Sequence, residues 1–171
     1  SFELTVASPI ERFLREWSEG MLRKTDFVLL KQKIFLESVS VTPAIRFEDI
    51  GDEIKIKMLS PVVAYKTDKE SGKTIYYSPW DNAFAELVTK NIEKKHFLLT
   101  GERLENPQFR IIPTIPKDER YCKVLNYKNT VIKGWLGIYK LQGDKRLIET
   151  AYNTGIGSKN PQGFGCFEVI S

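Results

Sequence analysis

The sequence predicts an α+β fold, antiparallel strands backed by helices, and three observations carry that prediction. Segments that alternate apolar and polar residues, such as Glu53 to Met58, are interleaved with two of helical periodicity, Pro79 to Leu99 and Asp144 to Thr154. Turn-forming residues separate these segments at short intervals. A glycine-rich stretch, Gly155 to Gly165, joins the last helical segment to a closing strand-like one, Cys166 to Ile170.

Phe2 to Val6 alternates as a half-buried strand does, and Ser8, Pro9 and Glu11 then open a helix. Ser8 can cap it, Pro9 fits the first turn and Glu11 completes a capping box. Ile10, Phe13, Leu14, Trp17 and Met21 share one apolar face. Phe27 to Leu30 and Ile34 to Val41 read as strands. A second series starts at Glu53, where Ile54, Ile56 and Met58 alternate and Leu59, Ser60 and Pro61 end the strand. Val62 to Lys66 and Thr74 to Tyr77 flank Lys69 to Gly72 as a β-hairpin. Pro79 to Leu99 is the strongest helix, with Trp80, Ala83, Phe84, Leu87, Val88, Ile92 and His96 on one stripe and Gly101 as its stop.

Phe109 to Ile115, Tyr121 to Tyr127 and Thr130 to Leu141 read as strands. Asp144 to Thr154 turns Leu147, Ile148, Ala151 and Tyr152 inward, and Cys166 to Ile170 closes the sheet. From Glu53 onward the order is the ferredoxin-like split βαβ arrangement, an antiparallel sheet with two helices on one face. Residues 1–50 supply only strand, helix, strand, half of such a unit. Three elements cannot easily cover a sheet face and pair both edges. Either this front half leans on the second domain or its missing half lies upstream of residue 1; the second is the expectation, with dimerisation or domain swapping as its corollary.

The chain has 171 residues, 42% hydrophobic and 28% charged, the balance of a globular protein rather than a disordered one. No apolar run approaches the roughly 20 residues of a membrane span, and no segment reads as a signal peptide. Cys122 and Cys166 lie in strand-like sequence and read as small buried residues rather than a disulfide framework, which makes the cytoplasm the expected setting. One histidine and two separated cysteines do not make a zinc site, and no carboxylate pair has the spacing of a magnesium site. No cofactor is expected.

The net charge is only +4, but from Lys117 to Arg146 eight basic residues face three acidic ones. Lys133, Lys140, Lys145 and Arg146 are the candidates there for contacts to a phosphate backbone; the competing role is a solvated strand face. The loop itself has two Gly-x-Gly pairs, Gly155 to Gly157 and Gly163 to Gly165, with five residues between them. Glycines admit close approach of a partner or a positive φ. The loop follows a helix and precedes a strand, the reverse of a dinucleotide fingerprint. Its backbone amides and Lys159 are suited to phosphates, since a concave array of N–H groups makes an anion site. A tight connection with a bulge is the plainer alternative.

With these paired motifs between the last helix and the last strand, the chain resembles the CRISPR repeat-RNA (pre-crRNA) endoribonucleases of the RAMP superfamily. Gly134 to Gly143 is similar to that family's strand before the last helix, Leu59 to Val63 to its interdomain strand end, and Pro9 to Leu22 to a first-domain helix. The resemblance implies tandem ferredoxin-like (RRM-like) domains, with 1–50 the second half of the first and 51–171 the complete second. It implies metal-independent cleavage of repeat RNA: the 2′-OH attacks phosphorus, the 5′-oxygen leaves and a 2′,3′-cyclic phosphate remains. It places Gly155, Gly157, Ser158, Lys159, Asn160, Gln162, Gly163, Phe164 and Gly165 at the RNA, with Lys133, Lys140, Lys145 and Arg146 behind them. Other CRISPR effector proteins and a homodimer are further implied partners; a membrane is not.

In many members of that family the catalytic histidine lies on the first helix of the first domain, which has no counterpart in 1–50, so the catalytic residue is unassigned. His96, the only histidine, is expected to pack or cap rather than catalyse. Ile156 and Phe164 can anchor the loop in the core, and Phe164 can alternatively meet RNA. Tyr121, Tyr127, Tyr152, Trp135 and Tyr139 are expected in the sheet or core. A non-catalytic RNA-binding subunit and a metabolite-sensing regulatory domain are the other two function classes.

Overall fold

The computed structural model describes residues 1–24, 26–42, 45, 47, 51–128 and 130–170. The chain divides into two compact units, 1–46 and 47–171.

In the first unit, helix α1 spans Glu11–Arg23, followed by a hairpin of β1 (Asp26–Leu29) and β2 (Gln32–Phe35). Leu30 and Lys31 turn it with φ of 49° and 66°, the doubly left-handed turn that matches strand twist. Three expectations change here. Phe2 to Val6 forms no strand; alternation has no ladder partner there, and Phe2 and Leu4 are exposed. The strand expected over Ile34 to Val41 ends at Phe35, which pairs with Asp26, the first residue of β1. The capping box does not form: Ser8 Oγ accepts from the Ile10 amide at 3.2 Å, so the helix begins at Glu11 and Glu11 sits too early to reach back. Ion pairs one turn apart, Arg12 with Glu16 and Arg15 with Glu11, line the outer face of α1.

The second unit contains β3 (Glu53–Met58), β4 (Tyr65–Thr67), β5 (Thr74–Tyr76), α2 (Asn82–Thr100), β6 (Phe109–Pro113), β7 (Cys122–Tyr127), β8 (Thr130–Trp135), β9 (Ile138–Gly143), α3 (Lys145–Thr154) and β10 (Phe167–Ile170). Four strands form one sheet in the order β10-β3-β9-β6, every pair antiparallel. That is the ferredoxin-like order, with the first and third strands of the motif central. The α+β class and antiparallel sheet expected from the sequence are therefore the ones observed.

Alternation on β3 buries Ile54, Ile56 and Met58 and leaves Glu53, Lys55 and Lys57 outside. Tyr139 and Leu141 of β9 are buried beside them, and α2, packed on β6, and α3, packed on β9, bury Phe84, Val88 and Ile92 and Leu147, Ile148 and Ala151. Helix α2 stops at Gly101, whose φ of 74° is the left-handed cap that a side chain would resist. Helix α3 starts at Asp144, whose carboxylate accepts from the Arg146 amide at 3.0 Å.

Two hairpins leave the main sheet. The predicted β4–β5 hairpin is present. Thr130 to Leu141, expected as one strand, is two: β8 pairs with β7 as a separate hairpin, and β9 joins the main sheet. The break falls at Gly137, where φ is 134° and a Cβ would lie 2.4 Å from Ile115 Cδ1. Both cysteines are free and half-buried. No helix of the described residues is long and apolar enough to cross a membrane.

Because Ile56 lies fully inside and Ile112 is 38% exposed on the other sheet face, their replacement by alanine separates the two faces. Ile56→Ala is expected to cost about 3 kcal/mol and Ile112→Ala under about 1 kcal/mol; urea denaturation measures both.

Candidate nucleic-acid interface

The glycine-rich loop leaves α3 at Thr154 and is closed on itself and on the segment after β3. Ile156 N donates to Gly165 O at 2.8 Å, which brings the two ends of the loop together. Ser158 N donates to Val63 O at 2.8 Å and Gly165 N to Pro61 O at 3.0 Å, which docks it on Pro61 to Val63. Ile156 and Phe164 point inward, Phe164 packing with Val63 and Ile132 beneath Tyr65 and Tyr76. Between them Asn160 to Gln162 form one tight helical turn, entered at Lys159 with φ of 64° and left at Gly163 with φ of 86°.

Two side chains complete the closure from within. Asn160 Nδ2 donates to Ile156 O at 3.2 Å and Phe164 O at 3.0 Å. Lys95, from α2, donates to Gly155 O at 2.8 Å, Gly157 O at 3.2 Å and Asn160 Oδ1 at 2.6 Å. Burial pushes the Lys95 ammonium down to about 8.

The four glycines show the positive φ expected of them, from 73° to 86°, and where something approaches closely it is the protein itself. A Cβ on Gly157 would lie 2.6 Å from Val63 O, and one on Gly165 only 2.0 Å from Ile156 O. Gly155 is closed off by Asn160 Nδ2. These three admit the protein's own backbone, and only Gly163 faces open space. Gly155, Gly157, Phe164 and Gly165, all expected at the RNA, are buried in the loop as it stands. The expected nest of amides is corrected: the N–H groups of Ile156, Ser158, Gln162, Gly163 and Gly165 all donate inside the protein. What the loop presents outward is Pro161, Gln162 and Gly163, flanked by half-buried Ser158, Lys159 and Asn160. Lys159 Nζ lies 5.0 Å from the centroid of the Tyr65 ring, itself 5.7 Å from Tyr76.

The basic zone does not gather beside this loop. Lys145 and Arg146 begin α3 while the loop follows its end, about 15 Å away for a ten-residue helix. Arg146 is also committed to Asp144 at 2.7 Å and Glu102 at 3.0 Å, and its guanidinium holds the Asp144 carboxyl below the usual carboxylate range. Lys140 projects from the outer sheet face and pairs with Glu53 at 2.5 Å. Lys133 is exposed on β8, whose Trp135 exchanges hydrogen bonds with Val62 in the segment that receives the loop. Of the four, Lys133 is the one whose strand adjoins the loop's docking segment.

His96 is buried between α2 and α3, with Nδ1 3.0 Å from Thr150 Oγ1. Thr150 donates its own hydroxyl to Arg146 O at 2.8 Å, so Nδ1 carries the proton toward it. Nε2 has no hydrogen-bond partner among the described residues and lies 3.9 Å from Glu102. Trp135 packs edge-on against Trp80 at 5.3 Å and Tyr139 is fully buried, so neither offers a stacking face. Tyr152 packs between Phe47 and Phe167.

Sequence reasoning missed Lys95. A lysine in the run Lys94, Lys95 on a helix reads as solvated, yet its spacing of three from buried Ile92 and its place beside buried His96 put it on the edge of the apolar stripe.

The family model described as CRISPR associated protein Cas6, C-terminal, matches residues 44–169, which include the whole loop and α2. The chain belongs to the Cas6 family. Among its relatives, the CRISPR-associated endoribonuclease Cas6 1 of Methanocaldococcus jannaschii is 25% identical over 170 residues, covering 95% of this chain and 61% of that protein. A putative CRISPR-associated endoribonuclease-like protein Cas6 of Pyrococcus furiosus is 26% identical over 169 residues, covering 98% of this chain and 67% of that one. The chain thus spans about six tenths of the length of the first relative. A Cas6-related structure from Pyrococcus furiosus superposes with a TM-score of 0.81 at 21% identity, over 96% of this chain and 66% of that one. A RAMP protein described as binding different RNA substrates has a TM-score of 0.78 at 22% identity, over 96% and 67%. These structures share the Cas6 chain's fold.

Within this Cas6 loop the glycines separate by environment. Gly157→Ala and Gly165→Ala are expected to cost about 2 kcal/mol or more, from left-handed φ plus a clash with backbone oxygen. Gly163→Ala costs about 1 kcal/mol, from φ alone. Thermal or urea unfolding of the three variants checks the order.

Proposed function

We propose that the protein binds CRISPR repeat RNA through the outward turn of the glycine loop and, as part of a metal-independent endoribonuclease, cuts it to mature guide RNAs. Residues 1–50 are then the second half of a first ferredoxin-like domain and residues 51–171 the second domain. The observation that carries the reading is the turn from Ser158 to Gly163. It is held rigidly by buried contacts, it presents Lys159, Gln162 and an unobstructed Gly163, and it lies within the range matched by the Cas6 model. Lys133 extends the contact along β8. The relatives named as endoribonucleases and the neighbour described as binding RNA support the substrate class.

In the proposed reaction the 2′-oxygen forms a bond to the adjacent phosphorus, the P–O5′ bond breaks, and a 2′,3′-cyclic phosphate remains. One proton leaves the 2′-hydroxyl and one reaches the departing 5′-oxygen. The loop's part is to hold the strand and to set positive charge from Lys159 against the phosphate charge. His96 takes no part, since its ring is locked in the core against Thr150. That burial also favours the second reading, a non-catalytic RNA-binding subunit of a CRISPR effector complex.

Incubation of the full-length protein with its cognate repeat RNA in EDTA separates these readings. Cleavage to a product ending in a cyclic phosphate supports the nuclease; cleavage only after magnesium is added contradicts its mechanism; tight, salt-sensitive binding with no cleavage supports the subunit. Lys159→Ala is expected to weaken binding and to lower the slope of log K against log salt by about 0.7. Filter binding across a salt series measures it, and an unchanged slope would remove Lys159 from the interface.

A further inference from the structure

Lys95 is unusual among the described residues in where it spends its charge. Its three N–H donors meet three oxygens, Gly155 O, Gly157 O and Asn160 Oδ1, all within the loop. Its ammonium makes no ion pair with any carboxylate among the described residues; the acids of those helices form other pairs or none. The charged and titratable groups of the elements around it are Glu86, Lys90, Glu93, Lys94 and His96 on α2, Lys145, Arg146 and Glu149 on α3, and Lys159 in the loop, and burial alone displaces it. An ammonium matches three acceptors; a neutral amine has only two N–H groups and a lone pair that would face oxygen. Lys95 thus joins the backbone bonds and Asn160 in fixing the loop's path, and it is the charged member of that set.

We propose that Lys95 is the positioning residue of the RNA-binding loop: protonated, it gathers three loop oxygens and holds the Lys159–Gly163 turn in the shape that grips RNA, and on losing its proton it lets that turn slacken. This rests on the RNA reading above. It assigns Lys95 no contact with RNA.

The linkage distinguishes slackening from unfolding. Lys95 has a folded value near 8, below its unfolded value of 10.5. The unfolded chain therefore holds more protons between those limits, and this group's contribution to stability rises, not falls, as pH climbs through that window. RNA affinity moves the opposite way. A buried charge without a counter-charge is a cost to folding, but an apolar replacement also leaves three loop oxygens without their donor, so the two effects on the melting temperature oppose each other.

The test uses the full chain, Lys95→Met and Lys95→Arg, with a fluorescein-labelled transcript of the host's CRISPR repeat at constant ionic strength. Wild type is expected to lose about tenfold in affinity as pH rises from 7 to 9, Lys95→Arg to hold its affinity across that range, and Lys95→Met to be weak throughout while remaining folded at the assay temperature. At pH 7, hydrogen exchange of the Ile156, Ser158 and Gly165 amides should quicken in Lys95→Met while β3 and α2 stay protected. Equal loop protection and equal affinity in Lys95→Met would overturn the proposal, as would a flat wild-type pH profile. If wild type binds no repeat RNA even at low salt, the RNA reading fails instead, and the exchange comparison still decides whether Lys95 holds the loop. Should Lys95→Arg not fold, the wild-type profile and Lys95→Met carry the test.

Discussion

The docking of the Gly155–Gly165 loop onto the carbonyls of Pro61 and Val63 is the constraint from which the candidate site follows. Those two hydrogen bonds tie the end of the last helix to the segment that leaves the first strand of the ferredoxin-like sheet. They require backbone to approach backbone, which is why glycine stands at 157 and 165, and they leave Ile156 and Phe164 no direction except inward. The turn from Lys159 to Gly163 is what remains outside. Its exposure is a consequence of the closure beneath it.

Polar contacts inside the loop follow the same logic. Once the ends are closed, the carbonyls of Gly155, Ile156, Gly157 and Phe164 face one another and need donors. Asn160 and Lys95 supply them from two sides. Asn160 is therefore fully used within the protein, whereas Lys159, the residue before it, rests against Tyr65 and faces solvent in part. Neighbours in sequence are divided here between holding the loop and presenting it.

Much of the second unit was legible in the sequence because its signals were local. Ile54, Ile56 and Met58 alternate over a single strand, the α2 stripe repeats over five turns, and Gly101 ends it as its conformation requires. The loop's position was legible from the order of elements around it. Its purpose was not, because nothing local distinguishes a glycine that admits a ligand from one that admits Val63 O, nearly a hundred residues upstream in sequence. The same limit hid Lys95, whose acceptors lie far along the chain, and split Thr130 to Leu141, where Gly137 breaks a run that reads as continuous. At the other extreme, Phe2 to Val6 had the pattern of a strand with no partner among the described residues, and Ser8 had the pattern of a cap two positions too early. The basic zone was a fact of composition only: folding sends Arg146 to Asp144 and Glu102, Lys140 to Glu53, and leaves Lys133 nearest the loop's docking segment.

The most direct measurement is a structure of the full-length protein bound to its repeat RNA. The account predicts RNA backbone at hydrogen-bonding distance from Ser158, Lys159, Gln162 or Gly163, with Gly157 and Gly165 still packed under the turn and their bonds to Val63 and Pro61 intact. RNA lodged elsewhere while this turn stays in solvent, or a loop lifted off Pro61 and Val63 so that the strand lies on the inner glycines, would contradict it.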